Sequence, residues 1–166
     1  NFYVIDKQTF KSSRRGKILS IGPLEFNSGF DLLIQAWVNV NEKLEIIGTG
    51  NQESELNELI ASQGLNKKIK IEIDNSPEII SKKFQDAKCL VIPYLKDENI
   101  NLIHQALNYE IPIIGTNLNA ISKIIPKEFL AEPKDLDSLQ SVIIEMMPLL
   151  SQFDLSAIKK SVIEKY

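Results

Sequence analysis

The chain has 166 residues, 43% of them hydrophobic, and a formal net charge of -3 at pH 7. This length suits one domain with a well-buried core but not two ordinary domains, and the mild negative charge gives no broad basic field for nucleic acid or an anionic membrane. The single cysteine, Cys89, excludes an internal disulfide, and the absence of a long apolar run or a secretory signal predicts a reducing, cytoplasmic setting.

Residues 17–64 predict two successive strand-helix units. A short apolar run ends at Gly22 and Pro23, which break the first strand. Ser28 stands three residues before Asp31, a spacing that resembles a capping box at the start of the first helix. The second unit repeats the pattern with a strand, a Gly-Thr-Gly turn and a helix that Gly64 ends. The inner faces of the two helices are marked by Leu33, Ala36 and Trp37, then by Leu56, Leu59 and Ile60.

The third unit predicts a strand near one edge of the sheet. Three isoleucines between residues 69 and 73 alternate with charged residues, so one face of this strand is expected to be wetter. Ser76 and Pro77 are typical of a helix cap and a first helical position. The helix that follows is expected to bury Ile80 and Phe84.

The centre of the chain predicts a strand, a polar loop, a helix and a second strand. The apolar run from Cys89 to Pro93 is typical of a buried strand, and Asp97 and Asn99 in the loop can cap the following helix. The next strand is predicted over residues 111–114. In a parallel sheet such a loop lies at the carboxyl end of a strand, where ligands bind. A ligand site is therefore expected first at this loop and helix.

The remaining segments complete an α/β fold. Asn119 is expected to cap a brief helix, residues 129–131 predict a short last strand, Asp135 precedes a helix, and a final helix closes the chain. The polar residues 1–16 indicate a hinge or connector, and residues 17–166 a single domain. Because strands alternate with helices across short loops, the predicted architecture is a doubly wound, mostly parallel sheet.

Two features that could carry chemistry have simpler explanations. Gly48-Thr49-Gly50 follows a strand and opens a helix, but Glu53 stands where a third glycine would complete a dinucleotide-binding G-x-G-x-x-G, so a tight turn is favoured. His104 and Cys89 lie among apolar residues and are interpreted as packed side chains rather than catalytic or metal-binding groups.

Asp97 and Gln105 are a third candidate. One lies in the loop and the other on the helix, so both side chains can face a pocket at the start of that helix. Helix capping and solvation explain the two residues equally well.

Taken together, the segments resemble the carboxyl-terminal, donor-binding domain of the GT-B-fold glycosyltransferases of family four, which are retaining sugar transferases. In that family a strand ending in Gly-Arg is followed by Lys-Gly and a helix of the type Asp-Leu-Leu-Ile-x-Ala. A Glu-Gly-Phe-Gly segment precedes Glu-Ala by four residues, and a Gly-x-Pro-Val-Ile-Ala-Thr strand follows. The corresponding segments here are 20–23, 28–37, 97–100, 105–106 and 110–116, with further matches at 5–10, 48–50 and 69–93.

The resemblance implies a Rossmann-like half of a GT-B glycosyltransferase with a nucleotide-sugar site. Asp97 corresponds to the family's glutamate that faces the donor sugar, and Gln105 to the glutamate that holds the ribose hydroxyls. No residue is assigned a catalytic role. The donor-binding candidates are Gly22, Pro23, Ser28, Gly48, Gly50, Asp97, Glu98, Asn99, Ile100 and Gln105.

Several of these residues differ from the family in their chemistry. The family's Arg and Lys after the first strand neutralise the departing nucleotide diphosphate, and here those positions hold the uncharged Pro23 and Ser28. Losing two charge-assisted hydrogen bonds of about 1.5–3 kcal/mol each would weaken donor binding on the order of 10²-fold or more. Residues 98–100 also replace the Gly-Phe-Gly whose backbone amides approach the diphosphate.

Two hypotheses follow from a family resemblance combined with altered binding residues. The chain is the donor-binding half of an active but divergent glycosyltransferase, whose cations come from another loop or an N-terminal half. Alternatively, it is a degenerate, non-catalytic domain that serves assembly or regulation with a partner transferase.

The resemblance also sets the expected partners. They are a nucleotide-sugar donor and an N-terminal, acceptor-binding domain that this chain lacks, with no nucleic acid, no metal and no cofactor. Because GT-B catalysis takes place between two domains, the isolated chain is expected not to catalyse transfer. Peripheral association with a membrane agrees with the resemblance, since many such enzymes use lipid-linked acceptors, but no residue supports it directly.

Overall fold

The structure, a computed structural model, describes residues 16–96 and 100–165 and has a six-stranded sheet at its centre. The strands are β1 (Ile18–Ile21), β2 (Leu44–Ile47), β3 (Ile69–Glu72), β4 (Cys89–Ile92), β5 (Ile113–Thr116) and β6 (Leu130–Ala131). Their order is β3-β2-β1-β4-β5-β6, and every neighbouring pair is parallel. The doubly wound α/β fold predicted from the sequence is confirmed.

Seven α-helices connect and cover the strands in the described part of the chain. They are α1 (Phe30–Ala36), α2 (Glu53–Ser62), α3 (Pro77–Asp86), α4 (Ile100–Asn108), α5 (Asn119–Ser122), α6 (Leu136–Met146) and α7 (Leu155–Lys165). Short 3-10 helices lie at Phe26–Ser28, Trp37–Asn39, Lys127–Phe129 and Met147–Gln152. In these described residues no helix has the length and apolar character needed to cross a membrane.

The burial of the strands follows their place in the sheet. Every residue of β1, β2, β4 and β5 is buried, as expected for parallel strands with helices on both faces. In β3 only Ile69 is buried, while Lys70 is exposed and Ile71 is half-buried. Because β3 is the outermost strand at one side, its prediction as a wetter edge strand is confirmed.

Aromatic side chains fill the core and join its segments. Trp37 is fully buried, and its indole N–H donates to the carbonyl oxygen of Glu42 at 2.8 Å. This bond removes the cost of burying the polar end of the ring. Phe129 meets Phe153 edge to face, with ring centroids 4.9 Å apart. This ring contact holds the segment before α7 against the 3-10 helix that precedes β6.

The helix caps agree with the sequence at some positions and not at others. Asp135 caps α6, since its carboxylate accepts from the Ser138 backbone N–H at 2.9 Å. The predicted cap at Asn119 is wrong, because that residue is already the first of α5 and Leu118 stands at the cap position. The capping box from Ser28 is also wrong, because Gly29 occupies the cap position of α1 and the Ser28 hydroxyl is used elsewhere.

A buried ion cluster lies near the amino end of the sheet, where the strands begin. Glu45 of β2 has a side chain that is only 1% exposed, and Lys83 Nζ of α3 lies 2.6 Å from its Oε1. Lys17 Nζ, just before β1, lies 3.4 Å from Oε2. Among the described residues no donor is aligned for a hydrogen bond to Oε1, so the Lys83 charge is what compensates this atom. Glu42 and Lys88 form a second ion pair nearby, between the starts of β2 and β4.

Candidate functional site

The loops after β1 and β2 meet at the carboxyl end of the sheet, where the strands finish. The Gly22 N–H donates to the Ile47 carbonyl at 3.1 Å, and the Leu24 N–H donates to the Thr49 carbonyl at 2.9 Å. The Leu24 carbonyl oxygen in turn accepts a hydrogen bond from the Gln52 N–H at 2.9 Å. The structure therefore brings the predicted site residues of these two loops, Gly22 and Pro23 with Gly48 and Gly50, into one packed unit.

The contact between the loops accounts for the Gly-Thr-Gly turn. A Cβ at Gly48 would lie 1.9 Å from the Gly22 carbonyl oxygen, and one at Gly50 would lie 2.4 Å from the Leu24 carbonyl oxygen. Neither distance is possible for a real side chain, so both positions require glycine for packing alone. This geometry supports the tight turn favoured from the sequence.

Ser28 is turned into the protein rather than toward solvent. It belongs to the 3-10 helix before α1, is 1% exposed, and its hydroxyl donates to the Pro23 carbonyl oxygen. Gly29 follows with a left-handed φ of 75°, and a Cβ there would lie 2.0 Å from the Pro93 carbonyl oxygen. The loop after β1 is thus closed on itself and packed against the end of β4.

Tyr94 is a residue of this region that sequence reasoning missed. It is 1% exposed, its hydroxyl donates to the Ile21 carbonyl at the end of β1, and its own carbonyl accepts from Thr116 Oγ1 of β5 at 2.7 Å. A Cβ on Gly22 would lie 2.9 Å from the phenol oxygen. This one residue therefore ties together the ends of β1, β4 and β5, through its side chain and its backbone carbonyl. The sequence feature that could have identified Tyr94 is its aromatic ring next to Pro93, at the end of a buried strand.

The second group of predicted site residues lies at α4. Asp97, Glu98 and Asn99 fall outside the described residues. Ile100 is the half-buried first residue of α4, and Gln105 is exposed. The inner face of the helix is formed by Leu102, Ile103, Ala106 and Leu107. The prediction that Asp97 and Gln105 share a pocket therefore stays a prediction.

Fixed charges near the carboxyl end are mainly negative in the described part. The described loops at residues 22–29, 48–52, 73–76, 93–96, 117–118 and 132–135 contain four acidic residues and two basic ones. These are Glu25, Asp74, Glu132 and Asp135, with Lys96 and Lys134. Ser76 donates two hydrogen bonds to the Asp74 carboxylate, one of them from its backbone N–H at 3.1 Å. These bonds lower the pKa of Asp74, so this carboxyl group is charged at neutral pH. The first turns of α1, α2 and α3 add further acidic residues, which are Asp31, Glu53, Glu55 and Glu78.

Cys89 is not a nucleophile in this fold. It is the fully buried first residue of β4, and burial raises the pKa of its thiol to about 12. The thiol is therefore protonated at neutral pH and cannot supply the reactive thiolate. This agrees with its interpretation as a packed apolar side chain.

Comparison with known proteins gives one family and many related folds. Residues 15–148 match the model of the family described as glycosyl transferases group 1. Among curated proteins no match was found. Among solved structures, S. aureus TarM has a TM-score of 0.75 at 17% identity, over 91% of this chain and 33% of TarM.

Two further structures extend this likeness. The C-terminal domain of the glycosyl transferase group 1 family protein LpcC from Francisella tularensis has a TM-score of 0.75 at 18% identity, over 90% of this chain and 86% of that domain. Sucrose-phosphate synthase from Thermosynechococcus elongatus has a TM-score of 0.73 at 18% identity, over 91% of this chain and 41% of the synthase. At these identities the likeness concerns the fold. The chain spans about a third of TarM and less than half of the synthase.

Proposed function

This chain belongs to the glycosyl transferases group 1 family, and from that premise we propose that it is the donor-binding half of a retaining glycosyltransferase. In this proposal a nucleotide sugar binds at the carboxyl end of the sheet, and its sugar is transferred to an acceptor held by a separate domain. The observation that carries the proposal is the family match over residues 15–148, which includes every donor-binding candidate.

The fold supports this placement of the donor. In doubly wound sheets ligands bind outside the carboxyl ends of the strands, close to the point where the strand order reverses. Here the order reverses between β1 and β4, whose following loops hold Pro23, Ser28 and the start of α4. The TarM structure that shares this fold contains UDP. A nucleoside diphosphate is therefore the first ligand class to test.

The chemistry of transfer limits what this chain does alone. Departure of a nucleoside diphosphate develops negative charge that must be stabilised by positioned donors or cations. The loop after β1 offers no cation, and the described loops at this end contain two basic residues, Lys96 after β4 and Lys134 after the edge strand β6. We therefore propose that the remaining positive charge and the acceptor site come from another domain. Turnover of a nucleotide sugar to a glycoside by the 166-residue chain on its own would overturn this part of the proposal.

The proposal is tested by titration calorimetry with UDP, GDP, ADP and the corresponding glucose conjugates. Micromolar binding of at least one ligand is expected, and Gln105→Ala should abolish it. Gln63→Ala is the matched control, since Gln63 is an exposed glutamine at the far end of α2, near the amino end of the sheet. Equal loss of binding in the two variants would contradict a donor site at α4.

A second candidate function is a non-catalytic domain that serves assembly or regulation with a partner transferase. The observation that favours it is the loop after β1, where Ser28 is buried and its hydroxyl is bonded to the Pro23 carbonyl. A side chain held in this way makes no contact with a leaving group. If no ligand of the panel binds in the titration, this second candidate function is favoured over the first.

A further inference from the structure

We propose that the side chain of Tyr94 is a movable plug in the crevice between β1 and β4, and that a ligand reaches the ends of these two strands only when the phenol ring swings out. The inference rests on the proposed function, because this crevice lies at the same end of the sheet as the proposed donor site. It adds a conformational step that controls entry to that site. Its main test needs no ligand, so the two proposals can fail separately.

The crevice begins where the pairing of β1 with β4 stops halfway along both strands. In the described part of the chain, the pairing of these two strands joins Ile18 to Cys89 and Leu19 to Leu90 and then ends. By contrast, β1 pairs with β2 over all four of its residues. In doubly wound sheets, ligands bind where the strand order reverses, and here it reverses between β1 and β4. The ends that no longer pair are therefore where a ligand would enter.

Two side-chain hydroxyl groups replace backbone hydrogen bonds in this crevice. The Ser20 hydroxyl donates to the Val91 carbonyl at 2.8 Å. One step further out, the Tyr94 hydroxyl donates to the Ile21 carbonyl. The ring of Tyr94 lies against Gly22, where an added Cβ would be 3.1 Å from a ring carbon. Since Tyr94 is only 1% exposed, its ring occupies the crevice.

The backbone of Tyr94 is anchored, so the part that moves is its side chain. The Tyr94 carbonyl accepts from Thr116 Oγ1 at 2.7 Å. The next residue, Leu95, donates its N–H to the Asn27 carbonyl at 3.1 Å. Rotation about the side-chain bonds of Tyr94 swings the ring out without breaking either contact. The hydroxyl then bonds to water instead of to the Ile21 carbonyl, as suits a ring with one polar end. Opening thus gives up this bond and the burial of the ring, but leaves the strands paired.

A thiol placed under the ring measures the opening without any ligand. Ser20 stands two residues before Gly22, and residues two apart share a face of the sheet, so its side chain lies on the face that the ring covers. Ser20→Cys replaces a hydroxyl group with a thiol, and its reaction with methyl methanethiosulfonate is followed by mass spectrometry of the intact chain. The native Cys89 is fully buried at the start of β4. A chain that keeps Ser20 gives its background rate.

Two variants of Tyr94 change the plug by different amounts. Tyr94→Ser removes the ring and should speed the reaction of the thiol at least about tenfold, whereas Tyr94→Phe keeps the ring, loses the hydrogen bond and should speed it about fivefold. Tyr94→Phe also keeps the core filled, so it carries the test if Tyr94→Ser does not fold. An unchanged rate in both variants would overturn the proposal, because something other than this ring would cover the crevice.

Lys83→Met is the control for unfolding of the whole chain. It destabilises the amino end of the sheet, where Lys83 pairs with Glu45, and leaves the ring untouched. Because the opening is local, Lys83→Met should leave the rate of the thiol within about twofold. A rate that rises as much in Lys83→Met as in Tyr94→Ser would show that the thiol is reached only by unfolding. Tyr94 would then be a fixed core residue, and the proposal would be wrong.

A ligand titration connects the plug to binding. A ligand that needs the open form binds more weakly in proportion to the fraction of chains that are open. UDP, GDP and ADP are titrated by calorimetry into the wild-type chain and Tyr94→Ser, and the diphosphate that binds should gain about five- to tenfold in the variant. Equal or weaker binding in Tyr94→Ser would overturn the role of the plug in entry and leave the proposed function standing. No binding to either chain would overturn the proposed function and with it this role in entry, whereas the thiol rates would still decide whether the ring moves.

Discussion

The two ends of the sheet are held together by different forces. At the amino end, Glu45 is buried between Lys83 and Lys17, and Glu42 pairs with Lys88. At the carboxyl end, Tyr94 and Thr116 link the strands through neutral hydrogen bonds to carbonyl oxygens. These ion pairs, which include the buried Glu45, thus lie at the end of the sheet that is away from the proposed ligand.

This difference teaches where charge is available for chemistry. A buried carboxylate such as Glu45 is tolerated only because its lysines compensate the loss of hydration. These cations serve stability and lie at the wrong end to meet a diphosphate. At the other end, backbone hydrogen bonds close the loops after β1 and β2, and the described loops contain more acidic than basic residues. The strands are thus joined by neutral hydrogen bonds at the end proposed to bind a ligand, and by ion pairs at the opposite end.

The largest effect is expected from breaking the amino end. Lys83→Met leaves the buried Glu45 carboxylate with Lys17 alone, 3.4 Å from its other oxygen. Removing one partner of a buried ion pair leaves the other charge uncompensated. We therefore expect a loss of about 2–3 kcal/mol in the free energy of unfolding, measured by urea denaturation.

Lys82→Met is the control for this variant. Lys82 is the exposed neighbour of Lys83 on α3, and its removal should cost less than about 0.5 kcal/mol. Similar losses in the two variants would mean that the Glu45 contact contributes nothing specific.

The pH dependence of stability gives the next effect. Burial raises the pKa of Glu45, but the adjacent Lys83 and Lys17 lower it by more, so its pKa lies below the ordinary value of 4.5. The ionised carboxyl therefore stabilises the fold at pH values above its unfolded pKa, and this contribution is lost as the pH falls through the folded pKa.

The test compares the wild-type chain with Glu45→Gln. At pH 7 the wild type should be the more stable of the two in urea denaturation. Between pH 5 and pH 3 the gap should narrow, because only the wild type loses an ionised group at this position. A gap that stays constant or widens on acidification would contradict the lowered pKa.

A smaller effect is expected from loosening the carboxyl end. Tyr94→Phe removes the hydroxyl that donates to the buried Ile21 carbonyl and leaves the ring in place. A lost buried hydrogen bond of this kind costs about 1 kcal/mol in the free energy of unfolding. Hydrogen exchange should also speed up at Gly22 and Leu24, whose N–H groups close this loop. Tyr109→Phe, at a half-buried tyrosine near the far end of α4, should leave that exchange unchanged.

The sequence predicted the strands and helices well because their burial follows local patterns. Apolar runs marked the central strands, and the alternation of three isoleucines marked β3 as an edge. The strand predicted from residue 111 begins instead at Ile113, just after Pro112, which has no N–H to donate to the sheet. Errors of this kind concern boundaries rather than the fold.

The sequence could not predict the contacts that join distant segments. Glu45 looks like an ordinary polar residue in a strand until Lys83, which is far away in sequence, is placed beside it. Tyr94 likewise has a visible role only once the end of β1, whose Ile21 carbonyl it bonds, is placed beside it. Ser28 was predicted as a helix cap because its bond to the Pro23 carbonyl forms only in the folded loop. The position of the ligand site stays a prediction from the order of the strands and from resemblance, while the roles of its side chains depend on packing.

The smallest effect is expected from placing a positive charge at the carboxyl end. Pro23→Arg adds a cation to the loop after β1, at a half-buried position beside the proposed site. A solvent-accessible ion pair contributes at most about 1 kcal/mol, so we expect UDP or another bound diphosphate to gain about threefold in affinity while its nucleoside gains nothing. Pro23→Gln, which changes the backbone in the same way without a charge, should leave both ligands unchanged. The gain should also shrink in high salt, since the added charge is screened. An equal gain for nucleoside and diphosphate would show that the loop acts through its shape, and the lack of a cation in the loop after β1 would then not explain what this domain binds.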